Sequence, residues 1–379
     1  MPSSTDYHSV PTNEEDFHLD EQKRRKSRSI LATVMLAICI FSFVLQTEVA
    51  QYVQQTTNYQ KPYLILYIGH SCYLFMIPFQ FIAECIGRWP SKPTTFLSHV
   101  KDTATHCTKE LVQSFGEIET RMHGSARNSN KAWFAIRTST WLALLITIPA
   151  YLWYVSVNLT TMSNLTAIYN TACVFAYVFS ILMLNDRLVP FKIGAVMMCM
   201  TGVFIMAYWT PEHLSDDDSL DKQIYSPYGI LVAVFGAGAY GFYEVYYKKY
   251  ATPSRPSILF ANTVTGIIGC VTLLLLWIPL PLLHLSGYEV FEMPDKETFW
   301  CIMGISAMSV VYNATFMCVI ALVNPVFAAV GVMLTVPAVA VTDVLVTGVM
   351  VTTNTIVGSV FILIGFLILS REIDHKQIS

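Results

Sequence analysis

Residues 23–52 read KRRKSRSILATVMLAICIFSFVLQTEVAQY. Five basic residues, Lys23, Arg24, Arg25, Lys26 and Arg28, stand directly before an apolar run that carries no charge until Glu48. A helix of about 20 apolar residues is long enough to cross the hydrocarbon core of a bilayer. Lys and Arg collect on the cytosolic flank of such a helix. The run is too long for a cleaved leader, and no small-residue cleavage site follows it. The stretch therefore predicts a retained membrane helix over 30–49 that enters from the cytosol and ends on a carboxylate at its far-side mouth.

Outward from this helix, the chain keeps the same character. It has 379 residues, of which 54% are hydrophobic and only 13% charged, with a mean hydropathy of +0.49. A soluble globule carries about a quarter charged residues, so a polytopic membrane protein is indicated. The net charge of −3 argues against a nucleic-acid partner. Nine cysteines are present without a CxxC pair, and most fall inside apolar runs, which indicates neither a disulfide framework nor a zinc site. No metal-ligand cluster, nucleophile elbow or phosphate loop is found, so the reading is of a non-enzyme without a cofactor.

Ten apolar segments predict spans, at 30–49, 63–83, 138–157, 165–184, 188–208, 227–247, 258–278, 299–320, 326–347 and 354–370. The fold class expected is an all-α membrane protein of ten transmembrane helices with both termini cytosolic. Of the 23 Lys and Arg residues, all but Lys61, Lys222 and Lys296 then fall on the cytosolic side, as the positive-inside rule requires. The segments are a disordered cytosolic N-terminus (1–28), a first five-helix half (29–208) with a cytosolic loop (85–136), an acidic luminal or extracellular loop (209–226), a second five-helix half (227–370) and a cytosolic tail (371–379). The loop contains a charged helical stretch, KELVQSFGEIETRMHG, read either as an interfacial helix or as a plain polar insert.

The halves share a layout. Residues 164–208 and 324–369 each give a long apolar helix, a short turn and a second helix with paired glycines, Gly194 and Gly202 in one and Gly358 and Gly365 in the other. Five spans per half force opposite topologies, and inverted repeats mark alternating-access carriers. The motifs TEVAQY (47–52), YQKPY (59–63), YLWYVSVNLTTMSNLTAIYN (151–170), GAYGFYEVYYKKYATP (238–253), WIPLPLLHLSGYEVFEMP (277–294) and LTVPAVAVTDVLVTG (334–348) occur in this order. In them the chain resembles the drug/metabolite transporter superfamily, and within it subfamily F of solute carrier family 35 and its fungal, EamA-like relatives. That resemblance implies a ten-helix carrier. The fungal relatives imply an endomembrane or vacuolar address, with the plasma membrane as the alternative.

Ionisable groups inside spans are costly and mark pathways. Asp343 is the sole charge in 326–370 and follows Pro337 by six residues, roughly 9 Å along the axis. Proline frees the carbonyl one turn back, that of Met333. Asp343 therefore heads the substrate-binding candidates. Tyr151, Tyr154 and Asn158, spaced i, i+3, i+7 on one helical face, could stack on and bond a flat heterocycle. Tyr169, Asn170, Tyr312 and Asn313 complete the set. An interfacial aromatic belt is the bland alternative. Gate or ion-coupling candidates are Glu48, His70, Glu244 and Lys248, with Lys61 as the first partner for Glu48. Glu244 follows a stripe of small residues, Gly229, Ala233, Ala237 and Gly241, suited to close helix packing.

Every Lys and Arg maps to a span end or a loop, whereas a phosphate-bearing solute calls for basic groups in the cavity. The charge pattern favours a small cationic or neutral organic metabolite, thiamine-like cations included, with proton coupling as one option. Nucleotide-sugar transport and a non-transporting scaffold on a carrier fold remain as alternatives. The partners expected are the solute and the lipid bilayer, and a homodimer is compatible with this plan.

Overall fold

The computed structural model describes residues 13–89, 95–123, 131–160, 162–184, 190–208, 227–254, 257–322 and 331–347, with short helical pieces between 353 and 368. The segments expected at 1–12, 209–226 and 371–379, and the side chain of Asp343, lie outside the described residues. Among the described residues every regular element is a helix. In chain order these are α1 (Asn13–Gln51), α2 (Pro62–Ser71), α3 (Met76–Gly87), α4 (Phe96–His123), α5 (Lys131–Ser156), α6 (Met162–Asn170), α7 (Ala172–Leu184), α8 (Pro190–Tyr208), α9 (Pro227–Ala251), α10 (Ile258–Leu275), α11 (Pro279–Leu285), α12 (Lys296–Leu322) and α13 (Thr335–Thr347).

Seven stretches are long and apolar enough to cross a membrane: Ile30–Thr56, Pro62–Gly87, Lys131–Ser156, Leu165–Leu184, Tyr228–Ala251, Ile258–Leu275 and Lys296–Val319. The molecule is thus an all-helical, multi-span membrane protein. Two shorter apolar helices, Ile193–Gly202 and Ile356–Gly365, fall within the expected fifth and tenth spans. The outer face of the bundle is greasy: Phe41, Leu182, Phe235 and Leu274 are all exposed, as suits side chains that meet lipid tails.

Three spans are broken, and each break has a local cause. In the second, α2 passes through a 3₁₀ turn at Cys72–Phe75 before α3 begins. Pro78, two residues into α3, has no N–H for the Leu74 carbonyl. In the fourth, α6 and α7 join at Thr171, where the Thr171 N–H turns back to the Ile168 carbonyl at 2.9 Å. In the ninth, Leu334 N–H bonds Gly331 O at 3.1 Å before α13 starts. The Met333 carbonyl, expected to be freed by Pro337, is instead taken by the Val336 N–H at 3.1 Å. The tightened turn supplies the donor that proline lacks.

The core is a contact between early and late helices. Ile65 and Leu66 of α2, Tyr154 of α5, Leu165 of α6, and Ile302 and Ile305 of α12 form its largest cluster. α1 lies along α12. The small-residue stripe of α9 packs as its spacing demands. Ala233 and Ala237 have no exposed surface, and Gly241 lies against the backbone of α7. A Cβ there would sit 2.7 Å from both Ala172 O and Ala176 N. At Gly238 a Cβ would meet only the Phe175 ring at 3.8 Å. We therefore expect Gly241→Ala to destabilise by about 1–3 kcal/mol through overpacking, while Gly238→Ala stays within experimental error of native. Thermal unfolding in detergent micelles measures both, and equal melting of the two variants would show that α7 and α9 are not held this close.

Candidate functional site

His70 occupies the last turn of α2, immediately before the 3₁₀ break, and is 7% exposed. Its ring stacks on Tyr73 at 5.0 Å, and its Nδ1 finds no hydrogen-bond partner among the described residues. The Tyr73 hydroxyl shares a 2.8 Å hydrogen bond with Ser309 Oγ and accepts from Asn313 Nδ2 at 3.1 Å. Asn313 also donates to the Ser309 carbonyl at 2.9 Å. A polar node thus joins the broken second span to α12 inside an apolar bundle.

Next to this node, α9 presents Tyr240, Tyr243 and Glu244 at i, i+3 and i+4, which places them on one face. The Tyr240 and Tyr243 rings stack at 6.2 Å. Across from them, Tyr312 of α12 packs between Phe43 at 5.5 Å and Phe316 at 5.9 Å. Tyr240, Tyr243 and Tyr312 all lie within electrostatic reach of Glu244, and all three also sense Tyr73. Glu244 is surrounded by protein yet keeps some accessible surface. The described groups around it are hydroxyls, rings and the Cys39 thiol, whose Sγ lies 3.9 Å from the Tyr312 carbonyl. Such a group can stack on a planar solute and can offset one positive charge.

A second polar cluster lies at the end of the bundle where the first span finishes. There α1 gives way to a π-helical turn, Tyr52–Thr56, in which Val53 and Gln54 have no exposed surface. Asn158 Nδ2 donates to Gln54 Oε1 at 2.9 Å, and Gln55 Nε2 donates to the Val157 carbonyl at 2.8 Å. Tyr151 meets Tyr63 edge-on at 5.9 Å. Both oxygens of Glu289 accept from the start of α2, at 3.0 Å from the Tyr63 and Leu64 N–H groups. Lys61 pairs with Glu292 at 3.4 Å. Glu292 reaches Lys61 from the loop after α11, and Glu48 is half-buried in the last turns of α1.

The remaining sequence candidates take varied places. Tyr154 is buried against Trp153 at 4.9 Å. The Tyr169 hydroxyl donates to the Pro149 carbonyl at 2.6 Å, and fills the space that a Cβ on Gly236 would need. Asn170 Nδ2 turns onto its own helix, to the Thr166 carbonyl at 2.7 Å. Lys248 is exposed near the end of α9. The backbone of Asp343 lies in α13, but its side chain is among those outside the description. Tyr73, Ser309, Tyr240, Tyr243, Gln54 and Glu289 were not picked out by the sequence reading. The available signals were Tyr73 three residues after His70, and Glu289 within the LHLSGYEVFEMP motif. Among the described residues no cluster of His, Cys, Asp and Glu could hold a metal ion.

Residues 121–208, covering α5 to α8, match the EamA-like transporter family. The match is confined to that segment of the chain. This EamA-like protein is 23% identical to an uncharacterized transporter of Schizosaccharomyces pombe, over 90% of this chain and 95% of the relative. It is 20% identical to the thiamine-repressible mitochondrial transport protein THI74 of Saccharomyces cerevisiae, over 90% of this chain and 92% of that one. Over 119 residues it is 30% identical to solute carrier family 35 member F5 of Pongo abelii, a match spanning 31% of this chain and 21% of the relative. The EamA-like proteins are carriers, and both fungal relatives matched over most of this chain are described as transport proteins.

One titration in this carrier is accessible to experiment. Burial holds the Glu289 carboxyl above the ordinary carboxylate range, partly offset by the Tyr63 and Leu64 N–H groups and by Lys61. The Tyr59, Tyr63 and Tyr151 hydroxyls lie within its electrostatic reach, and Tyr288 stands against Tyr151. A carboxyl raised in the folded state binds more protons there than in the unfolded chain, so acidification from neutral pH towards the ordinary range adds stability. The melting-temperature difference between native protein and Glu289→Gln should accordingly widen in favour of native as pH falls from about 7 to about 5. A difference that narrows over that interval would show that the carboxylate is favoured, not penalised, in its site.

Proposed function

We propose that this carrier moves a small cationic or neutral organic solute by alternating access, between two inverted five-helix halves with both termini in the cytosol. The observation that carries the reading is Glu244: a partly buried carboxylate within electrostatic reach of Tyr240, Tyr243 and Tyr312. Those tyrosines come from α9 and α12, and the Tyr73 node joins them to the second span. An aromatic group with one carboxylate suits a planar monocation and disfavours phosphate, which would need basic partners. Asp343 is a second carboxylate candidate, from α13. Glu48 and His70 are candidates for proton coupling, the latter because histidine titrates near neutral pH. The thiamine-repressible relative keeps thiamine-like cations on the panel to be tested. An endomembrane or vacuolar address follows from the resemblance to fungal proteins.

Uptake into proteoliposomes tests this directly. Organic cations, thiamine among them, and neutral heterocycles should accumulate, and nucleotide sugars should not. Glu244→Gln should slow cation uptake about tenfold or more, the loss expected when one charge contact worth about 1.4 kcal/mol is removed. Transport of nucleotide sugars alone would overturn the charge argument. Native rates in Glu244→Gln would move the site away from α9. A purified, folded protein that neither moves nor binds any member of the panel would favour the scaffold reading.

A further inference from the structure

The cluster around Glu289 joins parts of the chain that are far apart in sequence. Residues 52–67 end the first span and begin the second, while residues 273–297 run from the end of α10 through α11 to the start of α12. Six of the polar contacts that tie the two together come from Tyr52, Tyr59, Lys61, Tyr63 and Leu64 of the first segment. Glu289 takes the Tyr63 and Leu64 N–H groups, and Lys61 meets Glu292. Tyr59 Oη donates to the Glu292 carbonyl at 2.6 Å, Tyr63 Oη to Leu276 O at 2.8 Å, and Tyr52 Oη to Glu297 Oε1 at 3.0 Å. Behind this seam Val53, Gln54 and Val157 have no exposed surface.

Apolar helix contacts can slide with little loss, because their attraction is non-directional. A buried carboxylate on two N–H groups cannot. Its bonds are directional and charge-assisted, and they are lost together once the geometry changes. Pro62 at the start of α2 has no N–H of its own, which leaves Tyr63 and Leu64 as the first donors for an acceptor at that helix end. The α2 N-terminus also favours an adjacent negative charge.

We propose that Glu289 on the α2 N-terminus, backed by the Lys61–Glu292 pair, is a latch that holds this mouth of the carrier shut and must release before solute can pass. In the alternating-access reading, on which the proposal rests, the two segments belong to opposite halves and this mouth faces away from the cytosol. Contacts between halves at a closed mouth are the ones that opening has to break. Glu289 acts here as a positioning residue and need not touch the solute.

Two measurements on the full-length protein decide the matter. The first is hydrogen exchange of the peptide covering 59–68 in native protein, Glu289→Gln and Glu289→Ala. The Tyr63 and Leu64 amides should exchange about tenfold faster or more in Glu289→Ala, with an intermediate effect in Glu289→Gln, while α9 and α12 keep native protection. Unchanged exchange would overturn the proposal. So would faster exchange across the whole bundle, which would make the contact a general fold staple. The second is uptake by Lys61→Cys/Glu292→Cys joined by a reducible cross-linker, with native protein treated alongside. Cross-linked protein should lose uptake and regain it on reduction; transport at the reduced rate while cross-linked would overturn the latch. If no solute moves in any form, the carrier reading of the preceding subsection fails, and the exchange data still report whether the seam opens on its own.

Discussion

In a hydrocarbon surround, a backbone N–H or C=O that leaves its helix has no water to turn to, and each unsatisfied group costs several kcal/mol. This constraint organises the molecule. It keeps the described spans helical and makes every interruption conspicuous, because each freed group must be re-partnered. Thr171 and Leu334 turn back to carbonyls three residues earlier, and the Val336 N–H takes the Met333 carbonyl. The Tyr169 hydroxyl donates across to the Pro149 carbonyl of α5. The two late breaks also meet. Ala167, just before Thr171, packs with Met333 and Val336, and Cys173 joins from the other side. Discontinuous helices of this kind recur in transporters at the midplane, where substrate and coupling ions bind.

The same cost explains where charge is allowed. Lys and Arg sit at helix ends and in loops, where long side chains reach water. Carboxylates are rarer inside and have identifiable surroundings: Glu244 has the tyrosines, Glu289 has backbone N–H groups, and Glu84 has Arg88 at 2.9 Å. A polar ladder runs inward from that last pair. Gln80 Nε2 donates to Glu84 at 3.2 Å, and Asn262 Nδ2 of α10 donates to Gln80 Oε1 at 2.7 Å. Sequence composition alone would class Gln80 and Asn262 as exceptions in apolar helices. In the fold they bond one another and couple the end of the second span to α10.

The helices were legible in the sequence because hydrophobic length is a local property. Seven of the ten expected segments are present as full-length spans, and the α9 stripe packs as its four-residue spacing indicates. The charged stretch of the long loop is also helical, though α4 begins well before it, at Phe96. Partnerships were much less legible. Lys61 and Glu292 are more than two hundred residues apart, as are Tyr73 and Ser309, and no periodicity links them. Tyr151 and Tyr154 lie on α5 and Asn158 in the turn just beyond it, and each is engaged by a different neighbour, which spacing within one helix cannot reveal. Glycine pairs on α10 illustrate the same limit. Gly266 and Gly269 allow Ile77, Leu74 and Tyr73 to approach the helix backbone, and only the partner's shape makes that visible.

The 3₁₀ turn at Cys72–Phe75 gives these separate features a common mechanical element. A mid-helix 3₁₀ segment often marks a hinge. On one side of it, α2 is held at its start by Glu289 and Lys61. On the other, α3 ends in the Gln80–Glu84–Arg88 ladder. Between them, Tyr73 binds α12 through Ser309 and Asn313, within electrostatic reach of the α9 tyrosines. The second span is therefore anchored at both ends and softened in the middle. A solute that alters the packing of Tyr73 would act on the one part of this span where backbone hydrogen bonding is already irregular. Movement there would be transmitted along two short, stiff helices to the polar seams at either end of the bundle.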